Sequence, residues 1–206
     1  MAKPPIAHPV LNTQRLRLRQ FRLEDAEAMH RCFSSAEAMR FWNLPAHVRT
    51  IETERAVRSF IDCTPSYYRF WAVADAGTDL CLGLVNYHNG HIRSQRVDIG
   101  YIIDPAHQRK GIASEAVSAL LGFCFGERAL HRVQAFIDPA NLASRRLVER
   151  LGFHEEGLLR DHLRVNDIWR DDLVYALLQP EFRAQRALNP TVSPEILDEF
   201  LPRICI

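Results

Sequence analysis

Apolar and polar residues alternate along several stretches of the chain, as they do in strands that bury one face. The first stretch is Leu16-Arg-Leu-Arg-Gln-Phe21. Asn89-Gly90 and Asn166-Asp167 are turn signals that predict hairpins between neighbouring stretches. The pattern predicts about seven strands, near residues 16–21, 68–74, 80–88, 96–103, 131–137, 158–165 and 168–178.

Between these stretches, apolar residues recur with helical spacing. Ala26, Met29 and Phe33 share one face of a helix that opens at Glu24 and Asp25. Further helices are predicted near residues 51–61, 111–125, 141–150 and 193–201. Strands and helices in this order predict an α/β fold built on a mixed sheet.

The same pattern divides the chain into three parts. We expect a flexible arm over residues 1–10, one domain over 11–180 and an extension with a short helix over 181–206. The 206 residues suit a single domain with a tail. The apolar positions of the last helix suit packing on the body or on a second subunit, which leaves a homodimer open.

Composition and charge argue against several classes of function. The formal net charge of +1 offers no bulk attraction to nucleic acid or to an anionic membrane. No apolar run approaches the ~18 residues of a membrane-spanning helix. Five cysteines without a Cys-x-x-Cys pair, and nine histidines without a His-Glu-x-x-His motif, indicate reduced thiols in the cytoplasm and no metal site.

The most informative stretch runs from an apolar strand through a turn into a helix, over residues 102–116. A helix that begins in this way presents unpaired N–H groups at its positive end, where anions bind. Gly111 has no Cβ, so a phosphate could approach its backbone closely. Arg109 and Lys110 add positive charge, although their side chains also suit an ordinary solvated turn.

The strand before this turn has two different faces. Val97, Ile99, Tyr101 and Ile103 form an apolar face that predicts burial in the core. The opposite face carries a carboxylate and a space-opening glycine, and its members are Asp98, Gly100, Ile102 and Asp104.

Several motifs together resemble the GNAT superfamily of acetyl-CoA-dependent N-acetyltransferases. They are Gln108-Arg-Lys-Gly111-Ile-Ala113, Asn141-Leu-Ala-Ser144 and Leu151-Gly152-Phe153. The ribosomal-protein (alanine or serine) N-acetyltransferase branch is resembled by Thr13-Gln-Arg15-Leu-Arg-Leu-Arg19, Ile99-Gly100-Tyr101, Trp169-x-x-Asp172 and Tyr175-Ala-Leu-Leu178. The resemblance spans roughly residues 11–180. It implies a mostly antiparallel mixed sheet, flanked by helices and splayed centrally at an acetyl-CoA site.

The resemblance also assigns residues to acetyl-CoA. The backbone of the turn would hold the diphosphate, through Gln108, Arg109, Lys110, Gly111, Ile112 and Ala113. The N–H of Ile102 would polarise the thioester carbonyl, with Ile103 as the adjacent candidate. Asn141 would hydrogen-bond the pantetheine arm, or serve as a plain helix N-cap, or both.

The resemblance is less complete for the reacting groups. Asp98 stands where some members carry a glutamate base, and its shorter side chain favours action through a water. A solvent-facing carboxylate or a local ion pair is the alternative. Val148 stands where many members carry a tyrosine acid, and Ser144 matches the branch's serine near the sulfur. Cys124 lies in an apolar helix, which predicts a buried, inert thiol rather than a nucleophile.

The implied function is transfer of acetyl from acetyl-CoA to a primary amine in a ternary complex. A protein N-terminal α-amine is the preferred acceptor. A polyamine, an amino acid or an aminoglycoside is the alternative, and a weakly catalytic acyl-CoA sensor is a second. The acceptor site would be framed by Phe41-Trp42-Asn43, although Phe41 and Trp42 are more typical of core anchors. The helix with Glu52 and Glu54 would complete that frame.

Overall fold

The computed structural model describes residues 8–63 and 67–188. Its strands are β1 Leu11–Asn12, β2 Leu16–Arg19, β3 Arg69–Asp75, β4 Cys81–His91, β5 Arg96–Ile103, β6 Arg132–Ile137, β7 His154–Val165 and β8 Ile168–Leu178. Its helices are α1 Asp25–Phe33, α2 Thr50–Ile61, α3 Ile112–Phe125, α4 Leu142–Arg150 and α5 Gln179–Leu188, with a short 3-10 turn at Pro105–His107.

The strands form one sheet in the order β1-β2-β3-β4-β5-β6-β8-β7. Every neighbouring pair is antiparallel except β5 and β6, which are parallel. The predicted α/β fold with a mostly antiparallel mixed sheet is therefore confirmed. The described residues hold eight strands rather than about seven, because the two-residue β1 is too short to show an alternating pattern.

The two faces of the sheet bury separate apolar clusters. One cluster joins α3 and α4 to residues such as Trp71, Val97 and Ile99. The other joins α1 and α2 to Leu84 and Ile102. The alternation along β5 thus places its side chains as predicted, with an apolar face against α3 and the other face towards α1 and α2.

The sheet splits in its middle. β5 and β6 pair only at Arg96–Arg132, Val97–Val133 and Asp98–Gln134. Beyond these pairs β5 continues to Ile103 and β6 to Ile137 without bonding to each other. The central splay that the resemblance implied is confirmed, and it opens a wedge between the two strands.

The hairpin turn predicted at Asn89-Gly90 is wrong. β4 continues through both residues to His91, and the turn lies at residues 92–95. The strand register shifts between His88 and His91, where Asn89 has a φ of +51°. Asn-Gly signals a backbone that accepts positive φ, and a β-bulge uses that property as well as a turn does.

The ends of the described chain pack on the body. Trp71 Nε1 donates to the carbonyl oxygen of Pro9 at 2.8 Å, so part of the expected arm contacts β3. Phe182 of α5 stacks on Phe125 of α3, with ring centroids 4.8 Å apart. The helix predicted near 193–201 lies outside the described residues. Within residues 8–63 and 67–188, no helix combines the length and apolar character needed to cross a membrane.

Candidate active site

The splay between β5 and β6 opens a cavity of about 580 Å³. Its walls are the end of β5, the turn before α3, the end of β6, the start of α4 and part of the segment between α1 and α2. Among the residues singled out from the sequence, its lining includes Ile102, Ile103, Gln108, Arg109, Gly111, Ile112, Ala113, Asn141 and Ser144. Asp98 and Lys110 are not part of that lining.

The turn before α3 has the conformation of an anion cradle. Arg109 has a φ of +60° and Gly111 a φ of +77°, so the backbone reverses twice within three residues. Within the described part of the chain, the N–H groups of residues 109–114 have no hydrogen-bond acceptor. Gln108 Nε2 donates to the carbonyl oxygen of Ile103 at 2.9 Å and holds the turn against β5. Several free donors beside a cavity fit a diphosphate without a metal.

The peptide between Ile102 and Ile103 has a defined orientation. The carbonyl oxygen of Ile102 points at Gly83 of β4, so closely that a Cβ on Gly83 would clash with it. The N–H of Ile103 lies on the opposite side of the same peptide plane and therefore faces the cavity. The N–H of Asp104 donates to the carbonyl oxygen of Leu82 on β4 at 2.9 Å. The backbone groups of Ile102 and Asp104 therefore face β4, and those of Ile103 between them face away from it. Of the two candidate donors, this geometry favours Ile103 over Ile102.

Asp98 is the last residue of β5 to pair with β6, and it is only 6% exposed. Its carboxylate accepts a hydrogen bond from Asn89 Nδ2 at 3.0 Å and lies across from His88. Burial lowers the pKa of His88, so this imidazole is neutral at physiological pH. Asp98 is therefore not the solvent-facing carboxylate of the alternative interpretation.

The start of α4 brings polar groups to the opposite wall. Asn141 caps the helix, because its side-chain oxygen accepts the Ser144 N–H at 3.2 Å, and both residues line the cavity. Tyr101 from β5 also lines it, with a hydroxyl that donates to the Ser144 carbonyl oxygen at 3.4 Å. Burial raises the pKa of Tyr101 to about 12, so the hydroxyl stays protonated. Val148 is fully buried.

The segment after α1 supplies aromatic residues to the cavity wall. Phe41 and Trp42 are half-buried and line the cavity, and Trp42 also packs against the core cluster of α1 and α2. Arg170 of β8 holds this segment by donating to the Arg40 carbonyl oxygen at 2.7 Å. Glu52 instead caps α2, where it accepts the Val48 N–H at 2.8 Å.

Cys124 is fully buried, and burial raises the pKa of its thiol to about 12. A thiol in this state is not a nucleophile, which agrees with the interpretation from sequence. Within the described ranges, no three His, Cys, Asp or Glu side chains cluster as metal ligands.

The comparison with known families identifies the fold's relatives. The sequence profile of a family described as an acetyltransferase (GNAT) domain matches residues 15–154. The chain belongs to the GNAT acetyltransferase family. This GNAT protein is accordingly an acetyltransferase, and the match spans the cavity walls from β2 to α4.

Individual relatives support the assignment. An uncharacterized N-acetyltransferase, YoaA from Bacillus subtilis (strain 168), is 33% identical over 84% of this chain and 98% of the relative. The ribosomal protein uS5-alanine N-acetyltransferase of Escherichia coli (strain K12) is 35% identical, over 43% of this chain and 45% of its own length. The spermidine N(1)-acetyltransferase of the same organism is 25% identical over 91% and 98%. A GNAT-family acetyltransferase structure from Bacillus anthracis superposes with a TM-score of 0.76 at 27% identity, over 84% and 100%.

Proposed function

We propose that this GNAT enzyme transfers acetyl from acetyl-CoA to a protein N-terminal α-amine, by direct attack within a ternary complex. The observation that carries the proposal is the joining of a donor-rich turn to a splayed strand in one cavity. The turn suits a diphosphate, and the open edge of β5 suits the amide-bearing pantetheine arm. The described cysteines are all free thiols, which goes with a cytoplasmic location.

The cosubstrate would lie along residues from three elements. The amides of Gln108, Arg109, Lys110, Gly111, Ile112 and Ala113 would surround the diphosphate, and Asn141 would bond the pantetheine. The Ile103 N–H, rather than that of Ile102, would then polarise the thioester carbonyl. A donor placed in this way stabilises the oxyanion that forms when the amine attacks.

The attacking amine must be neutral, and an α-amino group loses its proton near pH ~8, well below the ~10.4 of a lysine. Asp98 would accept the proton released on attack, through a water, since its carboxylate is outside the cavity lining. The C–N bond then forms, the C–S bond breaks, and the CoA thiolate leaves beside Ser144. We assign Ser144 the hydrogen bond to the departing sulfur.

The acceptor preference rests on relatives and on the cavity. The relative that acts on a ribosomal-protein alanine is 35% identical over the segment it shares. Phe41 and Trp42 offer half-buried aromatic surface for the residues that follow an N-terminus. A small polyamine is the second candidate, because the spermidine-directed relative aligns over 91% of this chain.

An acceptor screen with acetyl-CoA tests the proposal through thiol release and product mass. The panel holds a peptide with a free α-amine and no lysine, the same peptide blocked at its N-terminus with one lysine added, and spermidine. We expect the free α-amine to be acetylated with the highest kcat/KM. A preference for spermidine would establish the second candidate. CoA binding without any amine-dependent thiol release would refute the proposed transfer and support the alternative of an acyl-CoA sensor.

Two substitutions test the assigned groups. Ser144→Ala and Asp98→Asn should each lower kcat. For Asp98→Asn, which removes the assigned proton acceptor, the loss should reach up to about 100-fold. Ser118→Ala is the matched control, because Ser118 is exposed on α3 away from the cavity. Unchanged kcat in both variants would remove both residues from the mechanism.

A further inference from the structure

The donor-rich turn is held from its outer side by Arg15, which lies 95 residues earlier in the chain. Arg15 Nη1 donates to the carbonyl oxygen of Lys110 at 3.0 Å. Arg15 Nε donates to Glu115 Oε2 at 2.7 Å, and the Arg15 backbone N–H donates to Glu115 Oε1 at 3.0 Å. Thr13 Oγ1 donates to the same carboxylate at 2.5 Å. One side chain therefore links the turn to the first turn of α3.

The bond to Lys110 determines which way one peptide faces. Its carbonyl oxygen is held by Arg15, so the N–H of Gly111, in the same peptide plane, points the opposite way. Gly111 lines the cavity, whereas Lys110 does not. The Lys110 ammonium also stays outside, where it donates to the carbonyl oxygen of Ala106 at 3.1 Å.

An ion pair with Glu115 fixes the position of the Arg15 side chain. Its guanidinium pairs with the Glu115 carboxylate at 2.5 Å. Burial opposes ionisation of Glu115, but hydrogen bonds from Thr13 and Arg15 outweigh it and lower the pKa of that carboxyl. Arg15 is not among the cavity-lining residues.

We propose that Arg15 is a positioning residue for the diphosphate of acetyl-CoA: it binds the Lys110 carbonyl and so turns the Gly111 amide into the cavity. This inference rests on the proposed function, because it takes the diphosphate to be the anion of the turn. Arg15 has no part in the acetyl-transfer step itself.

The test compares Arg15→Ala with Arg17→Ala on two acetyl donors. Arg17 is an exposed arginine of the same strand region, away from the cavity lining, so it controls for the lost charge. Acetyl-CoA carries the diphosphate, and acetyl-pantetheine does not. Arg15→Ala should raise KM for acetyl-CoA about tenfold, equivalent to about 1.4 kcal/mol, with kcat unchanged. The kcat/KM of Arg15→Ala for acetyl-pantetheine should equal that of the native protein. Arg17→Ala should have the native kcat/KM with both donors.

The outcomes are distinct. A KM that rises equally for both donors, or for neither, overturns the role of Arg15. If Arg15→Ala does not fold, Arg15→Lys replaces it, since one ammonium cannot reach both Lys110 and Glu115 with the geometry of a guanidinium. The same donor-selective rise in KM is expected for that variant, and its absence overturns the proposal. Failure of the native protein to use acetyl-CoA would instead refute the proposed function, and this inference with it.

Discussion

Replacing Gly111 by alanine tests the anion turn directly. Gly111 has a φ of +77°, in a region that costs an L-residue roughly 1–2 kcal/mol. The nearest atom to an added Cβ is Arg15 Nη2 at 3.4 Å, so the methyl group itself fits. The penalty is therefore backbone strain. If the turn of the variant relaxes to a negative φ, its amides move away from their binding positions. The positive-φ conformation must then be formed again when CoA binds, and its cost lowers the affinity.

This strain sets the expected magnitude. About 1–2 kcal/mol corresponds to a roughly 5- to 30-fold loss of CoA affinity if the free turn relaxes. If the turn keeps its conformation, the same cost appears as lower stability, with Tm falling by about 2–4 °C per kcal/mol in a protein of this size. Calorimetric titration with CoA and thermal unfolding measure the two quantities on the same samples.

Gly152→Ala is the matched control. Gly152 follows α4 with a φ of +87° and is not part of the cavity lining. Its added Cβ would meet the end of the Gln185 side chain, which can move aside. Stability should fall in this variant while CoA affinity stays native. Equal CoA affinity and equal Tm in Gly111→Ala and the native protein would refute the reasoning.

Three further predictions concern the rest of the fold. Arg19→Met should destabilise the protein by about 3–5 kcal/mol in urea unfolding, since it leaves Asp25 buried without its partner at 2.8 Å; Arg22→Met, at a more exposed site, should cost less than about 1 kcal/mol. Iodoacetamide should label half-buried Cys63 in the native protein before Cys124, as followed by peptide mass; labelling of Cys124 first would contradict its burial. Burial lowers the pKa of His88, so the unfolded chain binds more protons below pH ~6.5 and stability falls as the pH drops. His88→Asn should therefore lose less stability than the native protein between about pH 7 and pH 5. An identical pH dependence in both would show that His88 titrates normally.

The features that the sequence predicts are those that depend on residues close together in the chain. The Gln108–Ala113 motif and the Asn141 cap are local, and alternation along β5 separates its two faces without any tertiary information. The less predictable parts depend on residues distant in sequence. Tyr101 belongs to the apolar face by alternation, yet its hydroxyl reaches Ser144 on α4. The Arg15 contact with Lys110 joins residues 95 positions apart, and no pattern in the sequence predicts it.

The placement of Phe41 and Trp42 illustrates the same limit. Aromatic residues in an irregular segment are usually buried, and the pattern alone favours the core. In the structure both side chains line the cavity, and Trp42 packs against the core cluster as well. The hydrogen bond from Arg170 to the Arg40 carbonyl oxygen, which fixes the segment from β8, has no signal in the local pattern. Asn89-Gly90 shows the converse case, in which a correct indication of positive φ leads to a bulge rather than a hairpin.

The short ladder between β5 and β6 is the narrowest strand pairing in the middle of the described sheet. Three residue pairs connect a five-stranded plate to a three-stranded one, and beyond them the plates diverge. Any molecule that fills the wedge contacts both plates where they diverge. Occupancy of this wedge would therefore add a second set of contacts on the open side of the sheet, beyond the ladder and the core cluster under α3 and α4.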